Sequence, residues 1–501
     1  MAHLACRNET LDEAYKPLFT HHFALFPTSP FEKGFSINLI LLLIVSLWLS
    51  GCQAKSVFLK PSLEEEGEFF IYLEPLPQEA DRLTFTLGEV AAVREDGTTF
   101  PLSLFFQEIK GSEMKRQRLL ASATLPPGHY IGLAFRAAKA LLKHDDEEAA
   151  LQVDPEAVRA DFPFDIAKKK AFLVRLEFSV SKSVQDRHVF IPSFSISAPE
   201  RPVASLAGYV ANSASNTITV FDKERKEVVG VIATGAGPRG IVLDQRSRKA
   251  YVTLSMDDAV EVIDIAVGGV IDRIRMNTGD APQEPALSTD GKFLFTANRG
   301  SDSVSVIDTV SLVEINRVPV GQRPNSVLVD RAGKRIYAFN AQSNSISVID
   351  VATQSVAATL STEAEPLRGD FNARGDRLYV IHKGSPYLSV IDPFSLASLE
   401  RVYVGTGMSA IKEDIKTGLL YIGKAVGGSV DIFDPFSLFL VDSIITARSV
   451  AAMAMDGDEN TLYLLTPENN TMTVFNLISR KTIAEIDVGE GAYWVALMGE
   501  R

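Results

Sequence analysis

Residues 325–360 read NSVLVDRAGKRIYAFNAQSNSISVIDVATQSVAATL, and this stretch decides the fold. It contains four short segments, 325–329, 335–340, 345–350 and 355–360, in which β-branched and aromatic residues are frequent and polar residues alternate with them. That composition is typical of β-strands. Asp330 and Gly333 separate the first two segments, and both residue types favour the tight turn of a hairpin. The stretch therefore predicts a four-stranded antiparallel unit.

The same unit recurs along the second half of the chain. The third strand of each copy ends in an acidic or amide residue, and successive end residues lie 42, 44, 42, 42, 42 and 42 positions apart. These end residues are Asp222, Asp264, Asp308, Asp350, Asp392, Asp434 and Asn476. Seven four-stranded units of this length predict a seven-bladed β-propeller over residues 201–501. We expect each terminal carboxylate to cap the following turn through backbone N–H groups.

The two ends of the repeat region predict how the ring closes. Residues 208–212, GYVAN, read as a second strand without a first strand before them, whereas residues 494–498, WVALM, read as a lone first strand. We therefore expect the last strand of the chain to complete the blade that begins near Ala204. Closure of this kind leaves no open edge between the first and last blades.

Several segments resemble a known repeat. Residues 209–212 (YVAN), 251–254 (YVTL), 295–298 (FTAN), 303–308 (SVSVID) and 320–324 (VGQRP) are similar to the YVTN repeat of YncE-like propellers. That family occurs in exported and surface-layer proteins of bacteria and archaea. The resemblance implies the fold and an extracytoplasmic location, but the repeat residues are structural and imply no particular activity.

The N-terminal region predicts export. Residues 39–49 read LILLLIVSLWL, which suits the apolar core of a signal peptide and is short of the roughly 20 residues that span a bilayer. The ending LSGC at residues 49–52 resembles the bacterial lipobox, which implies a signal peptide over residues 1–52 and a lipid anchor on Cys52. By the same resemblance, Gln53 favours the outer membrane, so we expect a lipoprotein of the periplasm or cell surface. The alternative is a buried apolar helix followed by a chance cysteine.

Residues 53–200 have a different pattern. Residues 69–73 (FFIYL), 83–87 (LTFTL) and 172–178 (FLVRLEF) alternate as half-buried strands do, and LPPGHY at 125–130 resembles a turn of β-sandwich domains in surface lipoproteins. We expect a sandwich of seven or eight strands with a helical insertion at residues 136–144, joined to the propeller by a linker at 197–202. Its predicted role is that of a spacer or a partner-binding module.

Charge and cysteine content exclude several functions. The net charge of −13 argues against nucleic-acid binding, which needs a basic surface. Only two cysteines occur, Cys6 and Cys52, and neither lies in a CxxC or CxxCH motif, so we predict no metal site and no covalent haem. The acidic run at residues 144–148 is interpreted as a solvated turn. We predict no bound cofactor.

Alignment of the repeats predicts which side chains surround one mouth of the channel. His382 and Lys424 replace the repeat's asparagine in neighbouring blades, and together with Arg368 they suggest a basic patch for a carboxylate, phosphate or acidic glycan. The alternative for these residues is ordinary solvated loop charge. Trp494 stacks on a flat ligand or packs the closing blade. The predicted ligand-binding set is Arg239, Glu284, Arg299, Asn325, Arg368, His382, Lys383, Lys424 and Trp494.

Two classes of function follow. The favoured one is a membrane-anchored binding or scaffold lipoprotein whose propeller mouth holds a protein, a glycan or a small anionic ligand. The alternative is a lactonase-like propeller hydrolase, or a protein that binds or assembles haem d1. Hydrolysis needs a base, for which only Glu284 and His382 qualify, and we expect them on blades well apart, without a catalytic constellation. A haem d1 site needs an axial histidine ligand, and His382 is the one histidine in the propeller region.

Overall fold

The computed structural model describes residues 60–144, 147–446, 448–458 and 460–500. The predicted signal peptide, the lipidation site Cys52 and the centre of the acidic run therefore lie outside the described residues. Within them strands predominate and helix is almost absent, as predicted. None of its described helices has the length and apolar character needed to cross a bilayer.

Residues 67–197 form a five-stranded and a six-stranded β-sheet packed together, which confirms the predicted β-sandwich but gives it eleven strands rather than the expected seven or eight, and a third, three-stranded sheet adjoins them. One sheet has the strand order β14-β11-β1-β6-β4, and the other has β10-β7-β2-β3 with β5 and β8 at its margins. The core between them is rich in stacked aromatic rings, such as Phe69, Phe164 and Phe172. The strands are β1 (Gly67–Leu73), β2 (Leu83–Arg94), β3 (Thr99–Pro101), β4 (Ser103–Leu104), β5 (Glu108–Lys110), β6 (Arg118–Leu125), β7 (Gly128–His144), β8 (Glu147–Ala150), β9 (Gln152–Val153), β10 (Val158–Ile166), β11 (Ala171–Phe178), β12 (Val184–Gln185), β13 (Val189–Phe190) and β14 (Phe194–Ser197), with a one-turn helix α1 (Val180–Ser183) and a 3₁₀ turn at Gln78–Ala80.

The helical insertion expected at residues 136–144 is wrong, because these residues are the second half of the long strand β7. They pair with β2 along one edge and with β8 along the other. Phe135, Ala137 and Ala140 are buried in the sandwich core while Arg136 and Lys139 are exposed. Tertiary pairing thus overrides the helix preference of the alanine- and lysine-rich sequence.

The second half of the chain forms seven four-stranded antiparallel sheets, as the repeat predicts. In each blade the strands run from an innermost strand at the channel to an outermost strand. The propeller strands are β15 (Ala207–Asn212), β16 (Thr217–Asp222) and β17 (Glu227–Ala233) in blade 1; β18 (Pro238–Asp244), β19 (Lys249–Leu254), β20 (Ala259–Asp264) and β21 (Gly269–Arg275) in blade 2; β22 (Pro282–Leu287), β23 (Phe293–Asn298), β24 (Ser303–Asp308) and β25 (Val313–Pro319) in blade 3; β26 (Pro324–Val329), β27 (Arg335–Asn340), β28 (Ser345–Asp350) and β29 (Ser355–Ser361) in blade 4; β30 (Pro366–Phe371), β31 (Leu378–His382), β32 (Tyr387–Ile391) and β33 (Ser398–Tyr403) in blade 5; β34 (Met408–Glu413), β35 (Leu420–Lys424), β36 (Ser429–Phe433) and β37 (Leu440–Ile445) in blade 6; β38 (Ala452–Asp456), β39 (Thr461–Thr466), β40 (Thr471–Asn476) and β41 (Lys481–Asp487) in blade 7; and β42 (Ala492–Leu497), with 3₁₀ turns at Ala204–Leu206 and Pro467–Asn469.

The predicted ring closure is confirmed. Strand β42 pairs antiparallel with β15, so the end of the chain supplies the innermost strand of blade 1. The predicted turn caps are also present: the carboxylate of Asp308 accepts hydrogen bonds from the backbone N–H groups of Val310 and Ser311. These bonds, the Ser311 bond foremost, lower the pKa of Asp308, and the equivalent residues of the other blades make similar contacts.

The sandwich lies against the outer strands of blades 1 and 7, and the two form one compact unit. Phe70, Tyr72 and Leu119 join the same apolar cluster as Val228 of blade 1 and Ile486 of blade 7. This contact covers two outer strands that would otherwise be exposed edges. It leaves the central channel to the innermost strands, where the candidate site lies.

Candidate functional site

Five of the seven innermost strands pair the equivalent residue in the same register, and the repeat alignment adds Gly240 and Glu284, which lie at bulges of their strands. We call this set the upper ring. Four of its members are glycine, serine or alanine, so three large side chains fill it: Glu284, Arg368 and Trp494. The complete upper ring is Gly240, Glu284, Ser326, Arg368, Ala410, Ala452 and Trp494.

Arg368 reaches across the channel and closes it at the upper ring. Its Nε and Nη2 donate to the same oxygen, Oε1, of Glu284, at 3.0 and 2.5 Å. Its Nη1 donates to the backbone carbonyl of Ser409 at 2.8 Å, and its guanidinium lies 5.0 Å from the ring centroid of Trp494. One side chain of blade 5 is therefore held by groups from blades 1, 3 and 6.

The ion pair between Glu284 and Arg368 is buried. Glu284 is 3 % exposed and Arg368 is 9 % exposed. Burial raises the pKa of Glu284, although Arg368 and Arg239 oppose the change. The guanidinium of Arg239 stacks on Tyr493 at 4.5 Å, and its Nε has no hydrogen-bond partner. The Nδ2 of Asn325, a residue that is 7 % exposed, also lacks one.

A cavity of about 390 Å³ extends from the upper ring along the channel axis. Its walls are largely apolar and include Ile241, Leu328, Ile411 and Val495. At the end away from the upper ring, the charged side chains of Asp370, Lys412 and Glu500 line it together with Gln245. We call these four residues the lower mouth. The cavity therefore has polar side chains at the upper ring, apolar walls along the channel and charged side chains at the lower mouth.

Two further depressions lie outside the channel. One of about 340 Å³ lies between the sandwich and blades 7 and 1. The other, of about 470 Å³, lies between the outer strands of blades 6 and 7. Neither contains a residue of the upper ring or any of the predicted ligand-binding residues. The channel is the stronger candidate because it encloses a buried charged pair at the centre of the fold.

Lys424 replaces the asparagine of the repeat in blade 6 and has a structural role there. In blade 4, Nδ2 of Asn340 donates to the hydroxyls of Ser345 and Ser347, which joins the second and third strands. In blade 6, Nζ of Lys424 lies 2.5 Å from the carboxylate of Asp431, the residue equivalent to Ser347. The ion pair thus replaces the asparagine–serine contact.

His382 lies at the same position in blade 5 and is fully buried. Its Nδ1 lies 3.0 Å from the carbonyl oxygen of Tyr387, and its Nε2 has no partner. Burial lowers the pKa of His382 to about 4. The ring is therefore enclosed within its blade and does not line the channel cavity.

The predicted set of site residues divides into two groups. Arg239, Glu284, Arg368 and Trp494 lie together in the channel, and Asn325 lies one residue before the upper ring on β26. The structure does not join His382 and Lys424 to Arg368 in one basic patch, because Arg368 pairs with Glu284 and the other two lie within their own blades. Lys383 is exposed and Arg299 is half-buried, each directly after the second strand of its blade.

Glu284 was compared from the sequence only with His382, the other candidate base, which was expected on a blade well apart, so the contact between Glu284 and Arg368 was missed. The available signal was their register: both occupy the upper-ring position of the repeat. The channel is narrow enough for the contact because adjacent innermost strands approach closely; a Cβ on Gly240 would come within 2.3 Å of Pro285. Asp370 and Lys412, two residues farther along their strands than the upper ring, were also missed and carry the same signal.

Comparisons with known proteins agree with this architecture. The family described as "Lactonase, 7-bladed beta-propeller" matches residues 217–367, which run from blade 1 to the start of blade 5. Curated protein sequences give no significant match. Of the similar solved structures, a functionally unknown protein from Desulfotomaculum acetoxidans DSM 771 is 15% identical with a TM-score of 0.52, over 59% of this chain and 100% of that chain.

Two other structures are similar at lower TM-scores. Hydrazine synthase of Kuenenia stuttgartiensis is 20% identical with a TM-score of 0.49, over 54% of this chain and 91% of that one. Dihydro-haem d1 dehydrogenase NirN, in complex with DHE, is 13% identical with a TM-score of 0.48, over 60% of this chain and 78% of that one. Likeness at such identities concerns the fold alone. The chain is thus a seven-bladed propeller protein with a region similar to the lactonase-type propellers.

Proposed function

We propose that this protein is an exported, lipid-anchored binding protein whose propeller holds a small ligand in the central channel. The observation that carries the proposal is the cavity between the upper ring and the lower mouth. Its volume of about 390 Å³ lies in the range of about 300–1,000 Å³ that small-molecule sites occupy. Apolar walls with a few fixed polar groups are the usual composition of such sites.

The upper ring is suited to form the closed end of a binding cavity. Three N–H groups of Arg368 are already held by Glu284 and Ser409, so its position is fixed before any ligand arrives. Trp494 lines the cavity beside it and its indole N–H donates to the carbonyl of Ile241. A rigid, preformed closed end lowers the ordering cost of binding.

Export and membrane attachment are proposed from residues 39–52. The predicted signal peptide and the cysteine at the lipidation position support a lipid anchor on Cys52. With a net charge of −13, the protein would not be held at the membrane by electrostatic attraction to anionic lipids. The anchor would then be the acyl chains themselves. Two or more chains are needed for stable attachment.

The proposal is tested by native mass spectrometry of the protein purified from cells that export it. Ala286 lines the cavity, so Ala286→Phe fills it, whereas Ala352→Phe adds the same ring at an exposed turn. We expect the parent and Ala352→Phe proteins to carry a small molecule that Ala286→Phe lacks. Equal retention of the molecule by all three proteins would refute binding in the channel.

A second candidate function is hydrolysis of a lactone. The match to the lactonase family over residues 217–367 and the raised pKa of Glu284 favour it. In this mechanism Glu284 takes a proton from water as the water oxygen adds to the ester carbonyl, and Arg368 stabilises the oxyanion. The tetrahedral intermediate then collapses, the ring C–O bond breaks, and protonated Glu284 returns its proton to the leaving ring oxygen, which gives a hydroxy acid.

Turnover of γ- and δ-lactones by the parent and Glu284→Gln proteins separates the two functions. A hydrolase that uses this base should lose activity by about 100-fold or more in Glu284→Gln. Equal turnover by the two proteins, or none by either, would rule out Glu284 as the base. The binding function needs no turnover.

A further inference from the structure

The segment after β42 crosses the lower mouth. Nζ of the buried Lys223 donates to the carbonyl of Met498 and holds the end of the strand. Gly499 has a φ of 86°, in the left-handed region that favours glycine, and it turns the chain inward. Glu500 then contacts three other blades: its carboxylate meets Lys412 of blade 6 and the N–H of Met455 of blade 7, and its carbonyl accepts from Gln245 of blade 2.

This crossing is specific to blade 1. In every other blade the innermost strand continues through a turn into the second strand of the same blade, as Asp244 does towards Lys249 in blade 2. In blade 1 the second strand, β15, starts about 280 residues earlier in the chain, so the residues after β42 are free of that turn. The closing strand thereby places a carboxylate over the channel opening.

Lys412 is the cation of the lower mouth. Its Nζ lies 2.7 Å from the carboxylate of Glu500, and the side chains of the pair are 30 % and 20 % exposed. Burial alone would lower the pKa of Lys412, but Glu500 and Asp370 raise it to about 12. Asp370 itself accepts hydrogen bonds from the backbone N–H groups of Phe371 and Glu413, so Glu500 is the direct partner of the ammonium group.

We propose that Lys412 is the anchor for a carboxylate of the channel ligand, and that Glu500 occupies this position in the unliganded protein. A side-chain carboxylate held on a cation at the entrance of an apolar cavity marks where a ligand's carboxylate would bind. This inference rests on the proposed binding function and adds to it the chemistry of the ligand and a built-in competitor. The Glu500 contact must open before the ligand can pair with Lys412.

The walls specify the rest of the ligand. Between Lys412 and the upper ring the strand β34 advances by two residues, or about 7 Å, and the surrounding side chains include Ile241, Leu328, Ile411 and Val495. No described side chain on this stretch of the wall besides Asp370 carries a charge. The fitting class is a monocarboxylate with an apolar body, its carboxylate at the lower mouth and its body extending towards Trp494.

The test uses the intrinsic fluorescence of Trp494. The chain has two tryptophans, Trp48 and Trp494, and Trp48 lies in the predicted signal peptide, so Trp48→Phe leaves Trp494 as the one reporter in the processed and the unprocessed protein alike. Octanoate and the neutral octan-1-ol are titrated against this protein and against the same protein carrying Glu500→Gln or Lys412→Met. Lys412→Arg retains the charge, and Lys416→Met removes an exposed lysine of the next turn as a matched control.

We expect Glu500→Gln to bind octanoate about tenfold more tightly, because it removes the competing carboxylate, and Lys412→Met to bind it about tenfold more weakly, because it removes the cation. A tenfold change in affinity corresponds to about 1.4 kcal/mol. Lys412→Arg and Lys416→Met should bind as the parent does. Melting temperatures of all variants verify that each is folded.

The outcomes separate the inference from the proposed function. If octanoate binds but its affinity is the same in Glu500→Gln, Lys412→Met and the parent, the carboxylate position is refuted while channel binding stands. Equal affinities for octan-1-ol and octanoate in Glu500→Gln, where no carboxylate competes for Lys412, would refute it in the same way. If neither compound changes Trp494 emission in any variant, the inference fails, and only the mass measurement with Ala286→Phe then decides the proposed function.

Discussion

Replacement of Arg368 by methionine should destabilise the protein by an amount that depends on pH. The change removes the cation that binds the carboxylate of Glu284, a side chain that is 3 % exposed. An uncompensated buried carboxylate takes up a proton rather than remain charged. At pH 7 the ionisation part of the cost is then at most the cost of protonating a carboxyl group with the ordinary pKa of 4.5, which is about 3.4 kcal/mol.

The sign follows from proton linkage. In the variant, folded Glu284 is protonated and unfolded Glu284 is ionised, so the folded state binds more protons and the variant loses stability as pH rises above 4.5. The parent shows a smaller change of the same sign, because the pKa of its Glu284 is also raised by burial, so the loss should shrink by at most about 1.4 kcal/mol for each pH unit from 7 towards 5. Glu284→Gln differs, because the arginine it leaves unpaired cannot discharge, and we expect a loss of about 3–5 kcal/mol with little pH dependence.

The assay is urea unfolding at pH 5, 6 and 7, followed by circular dichroism. The matched control is Arg374→Met, which removes an exposed arginine of the same blade and should change stability by less than about 0.5 kcal/mol. The double variant Arg368→Met with Glu284→Leu should recover most of the loss, since both partners are then apolar. A loss in Arg368→Met that stays constant from pH 5 to 7, or no coupling between the two positions, would refute the buried pair.

Three further predictions follow. His382→Asn should remove a stability loss of at most about 3.4 kcal/mol that the parent suffers between pH 6.5 and 4, because unfolded His382 takes up a proton there and the folded ring, with its pKa lowered to about 4, does not. Parallel pH profiles of the free energy of unfolding for the two proteins would contradict this. Lys424→Asn alone leaves Asp431 buried without its cation and should lower the free energy of unfolding by about 3 kcal/mol. The double variant Lys424→Asn with Asp431→Ser restores the asparagine–serine contact, and its free energy of unfolding should lie within about 1 kcal/mol of the parent's. Additive losses in urea unfolding would count against a structural role for this ion pair. Cys52→Ser should abolish incorporation of labelled palmitate into the protein, and equal labelling of the two proteins would remove the proposed anchor.

The sequence predicts the propeller well because the repeated residues form turns and hydrogen bonds with their near neighbours in the chain. The hairpin turn at Asp330 and Gly333 and the capping carboxylates such as Asp308 depend on neighbours a few residues away, and the structure confirms the turn caps. Ring closure was also predictable, since an unpaired second strand at residues 208–212 and a lone first strand near Trp494 leave one arrangement in which every blade is complete. These features are set by short-range patterns that a single sequence contains.

The parts that could not be predicted depend on distances across the fold. Residues 136–144 favour a helix by composition, and only the partners on both edges of β7 make them a strand. Glu284 and Arg368 are 84 residues apart in sequence, and their contact depends on the width of the channel. The departures at Lys424 and His382 suggested a ligand, yet the compensating residue Asp431 lies seven positions after Lys424 and was available as a signal.

A crystal structure of the protein with octanoate tests the central claim most directly, because it locates the ligand rather than only detecting it. We expect electron density along the channel axis, with the carboxylate on Nζ of Lys412, the apolar chain directed towards Trp494, and Glu500 displaced from the lower mouth. Density for the ligand in either outer depression, with the channel holding water alone and Glu500 still on Lys412, would contradict it.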